Sequence, residues 1–404
     1  MALPLTIPFT LHLLAIILNS MKPIGINLHG GGARGSYQAG VLKALGQILK
    51  KRNLLGTKNP FKIWSGTSAG AINAAFCTSQ ATDLEFAGEQ LAKIWQEITP
   101  DQIYRTDLLS LSKNSAKWIR DLTFGSLFQK KLAQYLLNAT PLISLLNKKI
   151  HFQQIQENID QQIIHSLSCT AYCFNTSKTV SFVQGNSPSW KRSNRHSVHE
   201  TIGASHILAS CSIPMLFPLT KIKNQYFADG GFRNTAPSSS VIHQGAQKIL
   251  MVGVRYQPIN DDEPSRFSSE PGVAKVAGSM LNALFFDNID LDLERLELVN
   301  EIIQSVSQSI QTKRSDYAAL DYQLIRPSQD IAKIAETCSH QGFPKVLQFL
   351  IDGLGSRQDT AELSSYLLFH PSFTKPLVDL GYKDTMQKRE ELEDWICKDS
   401  GGSH

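Results

Sequence analysis

Two glycine-rich turns, each set between a short apolar run and a helical one, constrain this chain more than any other feature. The run IGINL (24–28) passes through HGGGARG (29–35) into SYQAGVLKALGQILKK (36–51), where Val41, Leu42, Leu45, Ile48 and Leu49 recur at helical spacing. The run FKIW (61–64) passes through SGTSAG into an Ala-rich stretch, AGAINAAFCTS (69–79), whose small side chains let a helix lie close to a sheet. Strand, turn and helix in repeated order predict a three-layer α/β/α fold around a mostly parallel sheet. Further along, LSCTAYCFNTSKTVSFV reads as a hairpin turning at NTSK, GNSPSWKRSNRHS as a surface loop, YFADGG as the end of another strand and KILMVGVR as a buried strand.

At 404 residues the chain holds one large domain or two to three small ones. The Pro-, Ser- and acid-rich segment NDDEPSRFSSEPG (260–272) marks the best internal boundary. The expected organisation is an apolar leader or over-extended start at 1–21, a main α/β domain at 22–256, a linker at 257–272 and a mainly helical C-terminal extension at 273–404. The leader lacks a basic start and carries Pro4, Pro8 and His12, while Met21 stands directly before the first strand as an alternative start.

Gly66-Thr67-Ser68-Ala69-Gly70 fits the G-x-S-x-G elbow, which needs a Ser at a sharp strand-to-helix turn and residues without side chains two positions away on either side. Read alone, a flexible loop or a chance match is the lesser alternative. The second loop, Gly30-Gly31-Gly32-Ala33-Arg34-Gly35, precedes a helix, so its amides converge where a helix N-terminus favours negative charge and an oxyanion can be held. Arg34 is either an anchor, a reinforcement of that potential, or a surface salt bridge. The same loop fits G-x-G-x-x-G, but a dinucleotide site expects an acid about 20 residues on, where Lys50, Lys51 and Arg52 stand instead. No cofactor is expected. Asp229, at the end of YFAD and followed by Gly230 and Gly231, is a candidate base whose burial would raise its pKa, or a plain turn residue. His243 follows it in the Ser-Asp-His order of a triad, and His196, His199 and His206 are alternatives without a motif. Dyad and triad both remain open on the residues alone.

A net charge of +5 without a long basic tract speaks against nucleic acid as a partner. Six Cys in a chain of this length fit a reducing, cytoplasmic compartment, and no Cys/His spacing suggests a metal. The helical stretch 84–150 carries Lys113, Lys117, Arg120, Lys130 and Lys131 among aromatics, so it is either an ordinary helical cover or a surface making peripheral contact with a membrane.

The glycine loop, the Ser elbow and the Asp-Gly-Gly, in that order, resemble the patatin-like phospholipase family, particularly its bacterial members. SCTAYCFNTSKTVSF, the block from ASCSIPMLFPLTK through YFADGG to KILMVGVR, and SYLLFHPSFTKPLVDLGYKD extend the likeness from about residue 24 to about residue 384. The resemblance implies a Ser68–Asp229 dyad without histidine, an oxyanion hole from the 30–35 loop, and support from Ala209, Ser210 and Pro214. It also implies a phospholipid or other acyl-lipid substrate, cleaved generally without a metal. His29, where many plant members carry Asp, and Gly231, where many carry Ala, depart from the plant-type pattern. The alternatives are a general carboxylesterase or thioesterase with a Ser68-Asp229-His243 triad, and a non-catalytic lipid-binding module.

Overall fold

The computed structural model describes residues 23–106, 135–257, 272–285, 287–309 and 319–398. The leader, the cationic cluster from Lys113 to Lys131 and nearly all of the acid-rich 260–272 segment lie outside them. Strands β1 (Ile24–Leu28), β2 (Phe61–Thr67), β3 (Ser166–Cys173), β4 (Lys178–Gly185), β5 (Arg195–His199), β6 (Thr220–Ile222), β7 (Gln225–Asp229), β8 (Lys248–Val252) and β9 (Asp321–Ile325) form one sheet. Its order is β5-β4-β3-β2-β1-β8-β9, with β7 joined to β3 and β6. The pairs from β3 through β2, β1 and β8 to β9 are all parallel, as is β4 with β5. The β3–β4 hairpin, β3–β7 and β6–β7 are antiparallel.

Parallel strands connected by helices must be covered on both faces, and β8 shows both covers directly. Its Leu250 and Val252 join the main core, while Ile249 and Met251 join a second cluster with Ile63, Val241, Ile289 and Leu293. The principal helices are α1 (Gly35–Lys51), α2 (Ala69–Ser79), α3 (Leu84–Gln96), α4 (Thr140–Lys149), α5 (Ala204–Ser210), α6 (Ser239–His243), α7 (Val273–Phe285), α8 (Asp287–Ser309), α9 (Arg357–Leu367), α10 (Pro371–Gln387) and α11 (Arg389–Cys397). Helices α1 to α3 cover the main core, and α6 and α8 cover the second. The mixed α/β architecture with a mostly parallel sheet is the one expected from the alternation of apolar runs. Three strands lie where none was expected, and β6, paired with β7, is one of them. β5 pairs with β4 within the supposed surface loop, and β9 extends the sheet from the C-terminal region.

That C-terminal region is built into the core. Helix α1 is nearly all buried because α3 and α10 press on it at glycines. A Cβ on Gly46 would lie 2.4 Å from the Leu84 carbonyl oxygen, one on Gly40 1.9 Å from that of Val378, and one on Gly381 2.0 Å from that of Tyr37. Polar clamps fix the same helices: the Tyr37 hydroxyl donates to Asp384 at 3.0 Å, and the buried Lys248 ammonium donates to the carbonyls of Trp395 and Lys398 while lying 4.8 Å above the Trp395 ring. Among the described residues no helix is long and apolar enough to cross a membrane.

Overpacking a close helix crossing costs about 1–3 kcal/mol. Gly381→Ala is therefore expected to lower the unfolding free energy by that amount in urea denaturation, through a lower midpoint with the slope of the transition unchanged.

Candidate active site

The site forms where two strands meet end to end against a third. β2 runs parallel to β3 and its last pair is Thr67 with Thr170, whereas β7 runs antiparallel to β3 and its last pair is Asp229 with Ala171. The C-terminal ends of β2 and β7 therefore point at each other. Ser68 and Asp229, at those ends, come together.

Both strands must turn away at once, and glycine makes this feasible. A Cβ on Gly66 would lie 2.3 Å from the Gly70 carbonyl oxygen, one on Gly70 2.1 Å from that of Leu28, and one on Gly230 2.2 Å from that of Thr170. Ser68 itself sits at φ 55°, ψ −128°, a left-handed conformation that a residue with a side chain occupies at a cost of about 1–3 kcal/mol. Its amide donates to Ser210 Oγ at 2.9 Å, and that hydroxyl donates onward to the Thr170 carbonyl at 2.6 Å, so Ser210 pins the strained turn to β3.

Asp229 is fully buried. Its Oδ1 accepts the Gly231 amide at 2.8 Å, and its Oδ2 has no partner in ordinary hydrogen-bond geometry. Burial pushes its pKa from 3.8 up to about 7, and the facing Ser68 hydroxyl and the Gly231 amide offset part of that rise. An accepting oxygen left open beside a hydroxyl is what a general base requires.

The glycine loop lies over the same point. A Cβ on Gly30 would stand 3.0 Å from Ser68 Cβ, and one on Gly35 2.6 Å from Ala69 Cβ, so α1 and α2 begin side by side. Neither helix carries an acid in its first turn, which leaves the positive ends of both dipoles uncompensated at the site. The amide of Arg34 bonds to Gly31 and that of Gly35 to Gly32 and Ala33, whereas the amides of Gly30 and Gly31 take up no protein acceptor among the described residues.

The Arg34 side chain is an internal anchor. It is buried, donates to Ser365 Oγ at 2.7 Å, pairs with Glu362 and lies 4.7 Å over the Tyr366 ring, tying the loop to α9. Tyr366 approaches so closely that a Cβ on Gly32, at φ +56°, would lie 2.3 Å from its carbonyl oxygen. Behind the loop a polar chain runs from the His29 carbonyl through Gln38 and Asn73 to the Trp95 indole. His29 is held neutral, its pKa lowered to about 3 by burial. Sequence reasoning passed over Gln38 and Asn73, although polar residues on the core side of α1 and α2 are a usable signal.

From Ser68 an apolar cavity of about 60 Å³ extends between α2, α3, α4 and α9, with Trp95, Leu146, Cys211, Phe217, Tyr366 and Phe369 among its walls. Among the described residues, Lys149 is the single Lys, Arg, Asp or Glu on its lining. His243 stands elsewhere, stacked on Trp190 with centroids 4.6 Å apart, and bonds to neither Ser68 nor Asp229. His196 and His199 belong to β5, two strands beyond β3, and His206 bonds to Glu200. Among the described residues no group of three or more His, Cys, Asp or Glu is placed to hold a metal.

Two outcomes follow for stability. A carboxyl whose folded pKa lies above its ordinary value takes up a proton on folding, so its charged form destabilises the native state as pH rises from about 4 to about 7. Asp229→Asn is expected to raise the melting temperature at pH 8, with the difference shrinking as the pH falls toward 4. Arg34→Ala strands the Glu362 and Ser365 partners and is expected to cost about 1–3 kcal/mol in chemical denaturation.

Among solved structures, VipD from Legionella pneumophila is 13% identical with a TM-score of 0.31, covering 92% of this chain and 67% of that one. Human GIVD cytosolic phospholipase A2 in complex with methyl gamma-linolenyl fluorophosphonate is 14% identical with a TM-score of 0.43, covering 94% of this chain and 59% of that one. No match was found among curated proteins. The model of one family, described as patatin-like phospholipase, matches residues 27–242, more than half of the chain. The chain belongs to the patatin-like phospholipase family.

Proposed function

We propose that this protein is a lipid acyl hydrolase, of the phospholipase A or lysophospholipase type, working through a Ser68–Asp229 dyad. Family membership supports ester hydrolysis on lipids. The observation that carries the mechanism is the buried Asp229 carboxyl, with one oxygen open, facing the Ser68 hydroxyl at the end of an apolar cavity.

In this reading the acyl chain lies in the cavity, where burial contributes about 0.8 kcal/mol per CH₂. Ser68 Oγ attacks the ester carbonyl as its proton passes to Asp229. Negative charge on the carbonyl oxygen meets the open amides of Gly30 and Gly31 and the adjoining helix N-termini, where each oriented donor contributes about 3–4 kcal/mol. Collapse breaks the ester bond, and Asp229 returns the proton to the leaving alcohol. Water, deprotonated by the same carboxylate, then releases the acid from Ser68. Strain at Ser68 and desolvation of Asp229 are both costs to stability that serve this step. The stacking of His243 on Trp190 weighs against the triad reading.

Hydrolysis of defined phospholipid, lysophospholipid and triacylglycerol panels tests the proposal. Ser68→Ala and Asp229→Asn are each expected to lower kcat by at least about a thousandfold, while His243→Ala retains activity within severalfold. Equal trace activity of wild type and Ser68→Ala on every panel would remove the enzyme assignment. Because the base must be ionised, kcat/KM is expected to rise with pH along a single limb centred at about 7.

A further inference from the structure

We propose that the surface formed by the β3–β4 turn, the β6–β7 hairpin and the segment 213–219 docks the protein onto anionic lipid bilayers. The inference rests on the hydrolase reading for its purpose, though its test does not. Phe174 (42% exposed), Tyr226 (47%) and Met215 (62%) stand in solvent on this surface, and Leu219 is exposed beside them. Phe174 and Tyr226 form one patch. The Phe174 ring packs against Tyr172 and Phe232, its amide donates to the Tyr226 carbonyl at 2.9 Å, and Lys221 Nζ lies 6.0 Å from the Tyr226 ring centre.

Charge selects the occupant. Between residues 161 and 260 the chain has nine Lys and Arg against two carboxylates, Glu200 and Asp229, and the second is buried in the site. Around the aromatic patch stand Lys178, Lys221, Lys223 and Arg233. Among the described residues, only Lys223 of these four has a carboxylate partner, Glu200 at 2.6 Å. Exposed aromatic rings ringed by uncompensated cations suit the boundary between headgroups and acyl chains of an anionic membrane.

Position adds a second argument. Tyr226 lies three residues before Asp229 on β7, and Phe174 three after Ala171, the Asp229 partner on β3. In the segment 213–219, Ile213 and Phe217 line the acyl cavity while Met215 and Leu219 face solvent. One piece of chain thus presents its two sides to the cavity and to the proposed bilayer.

The test is vesicle co-sedimentation of the full chain carrying Ser68→Ala, so that binding is read without turnover. Vesicles of phosphatidylcholine alone are compared with vesicles containing added phosphatidylglycerol, at low and high salt. Each basic residue at an anionic surface is worth about fivefold in partition. The anionic vesicles are therefore expected to bind at least about tenfold more tightly than the zwitterionic ones, with the difference falling at high salt. Lys178→Glu with Lys221→Glu is expected to remove that preference, and Phe174→Ser with Tyr226→Ser to weaken binding to both vesicle types. Lys383→Glu, on α10, leaves binding unchanged. Equal binding to the two vesicle types, or wild-type binding by the Lys178→Glu/Lys221→Glu protein, overturns the proposal and points to a protein partner for the patch. With Ser68 restored, the patch variants are expected to hydrolyse a water-soluble short-chain ester at the wild-type rate. If wild type fails to hydrolyse any ester, the activity reading falls while the binding result stands.

Discussion

The structure turns on one junction along β3, between Thr170 and Ala171. A parallel neighbour stops at the first and an antiparallel neighbour stops at the second, so two chain ends of opposite direction face each other in the middle of a sheet. Backbone groups left over at such a junction must find partners. Ser210 supplies them, accepting the Ser68 amide and donating to the Thr170 carbonyl. Without that hydroxyl the Ser68 amide would lose its acceptor, while the Ser68 carbonyl would keep the Ala71 and Ile72 amides.

The charge distribution follows from the same junction. A carboxyl placed inside a sheet is desolvated and loses its ordinary acidity, and the residues around it relieve that burden only in part. Two helix N-termini without first-turn acids raise the potential nearby, and His29 is kept uncharged by burial. The C-terminal helices complete the arrangement from behind. Arg34 reaches α9 across a gap of more than 300 residues in sequence, and Tyr366 and Phe369 from that region wall the cavity. The glycine loop at 30–35 is thus shaped by residues far apart in the sequence.

Much of this was legible in the sequence because it depends on local chemistry. The glycines of the elbow, the small residues of α2, and the apolar runs of β1, β3 and β8 follow from sterics and period within a dozen residues of each other. β5 was not legible: RHSVH carries no apolar run, and it is a strand because β4 offers an open edge. β9 is likewise set by its place beside β8. Nothing in the local pattern marks Gly40, Gly46 and Gly381, since their purpose is the close crossing of distant helices. Arg34 had three readings from sequence, and only the position of Glu362 and Ser365 distinguishes them.

The central claim is that the Asp229 carboxylate activates the Ser68 hydroxyl directly. The rate at which a fluorophosphonate labels Ser68, followed across pH, reads that activation without any lipid surface or acyl preference. The account predicts a labelling rate that rises through a pKa of about 7 and collapses in Asp229→Asn while His243→Ala labels normally. Labelling of Asp229→Asn at the wild-type rate and with the wild-type pH dependence would contradict it.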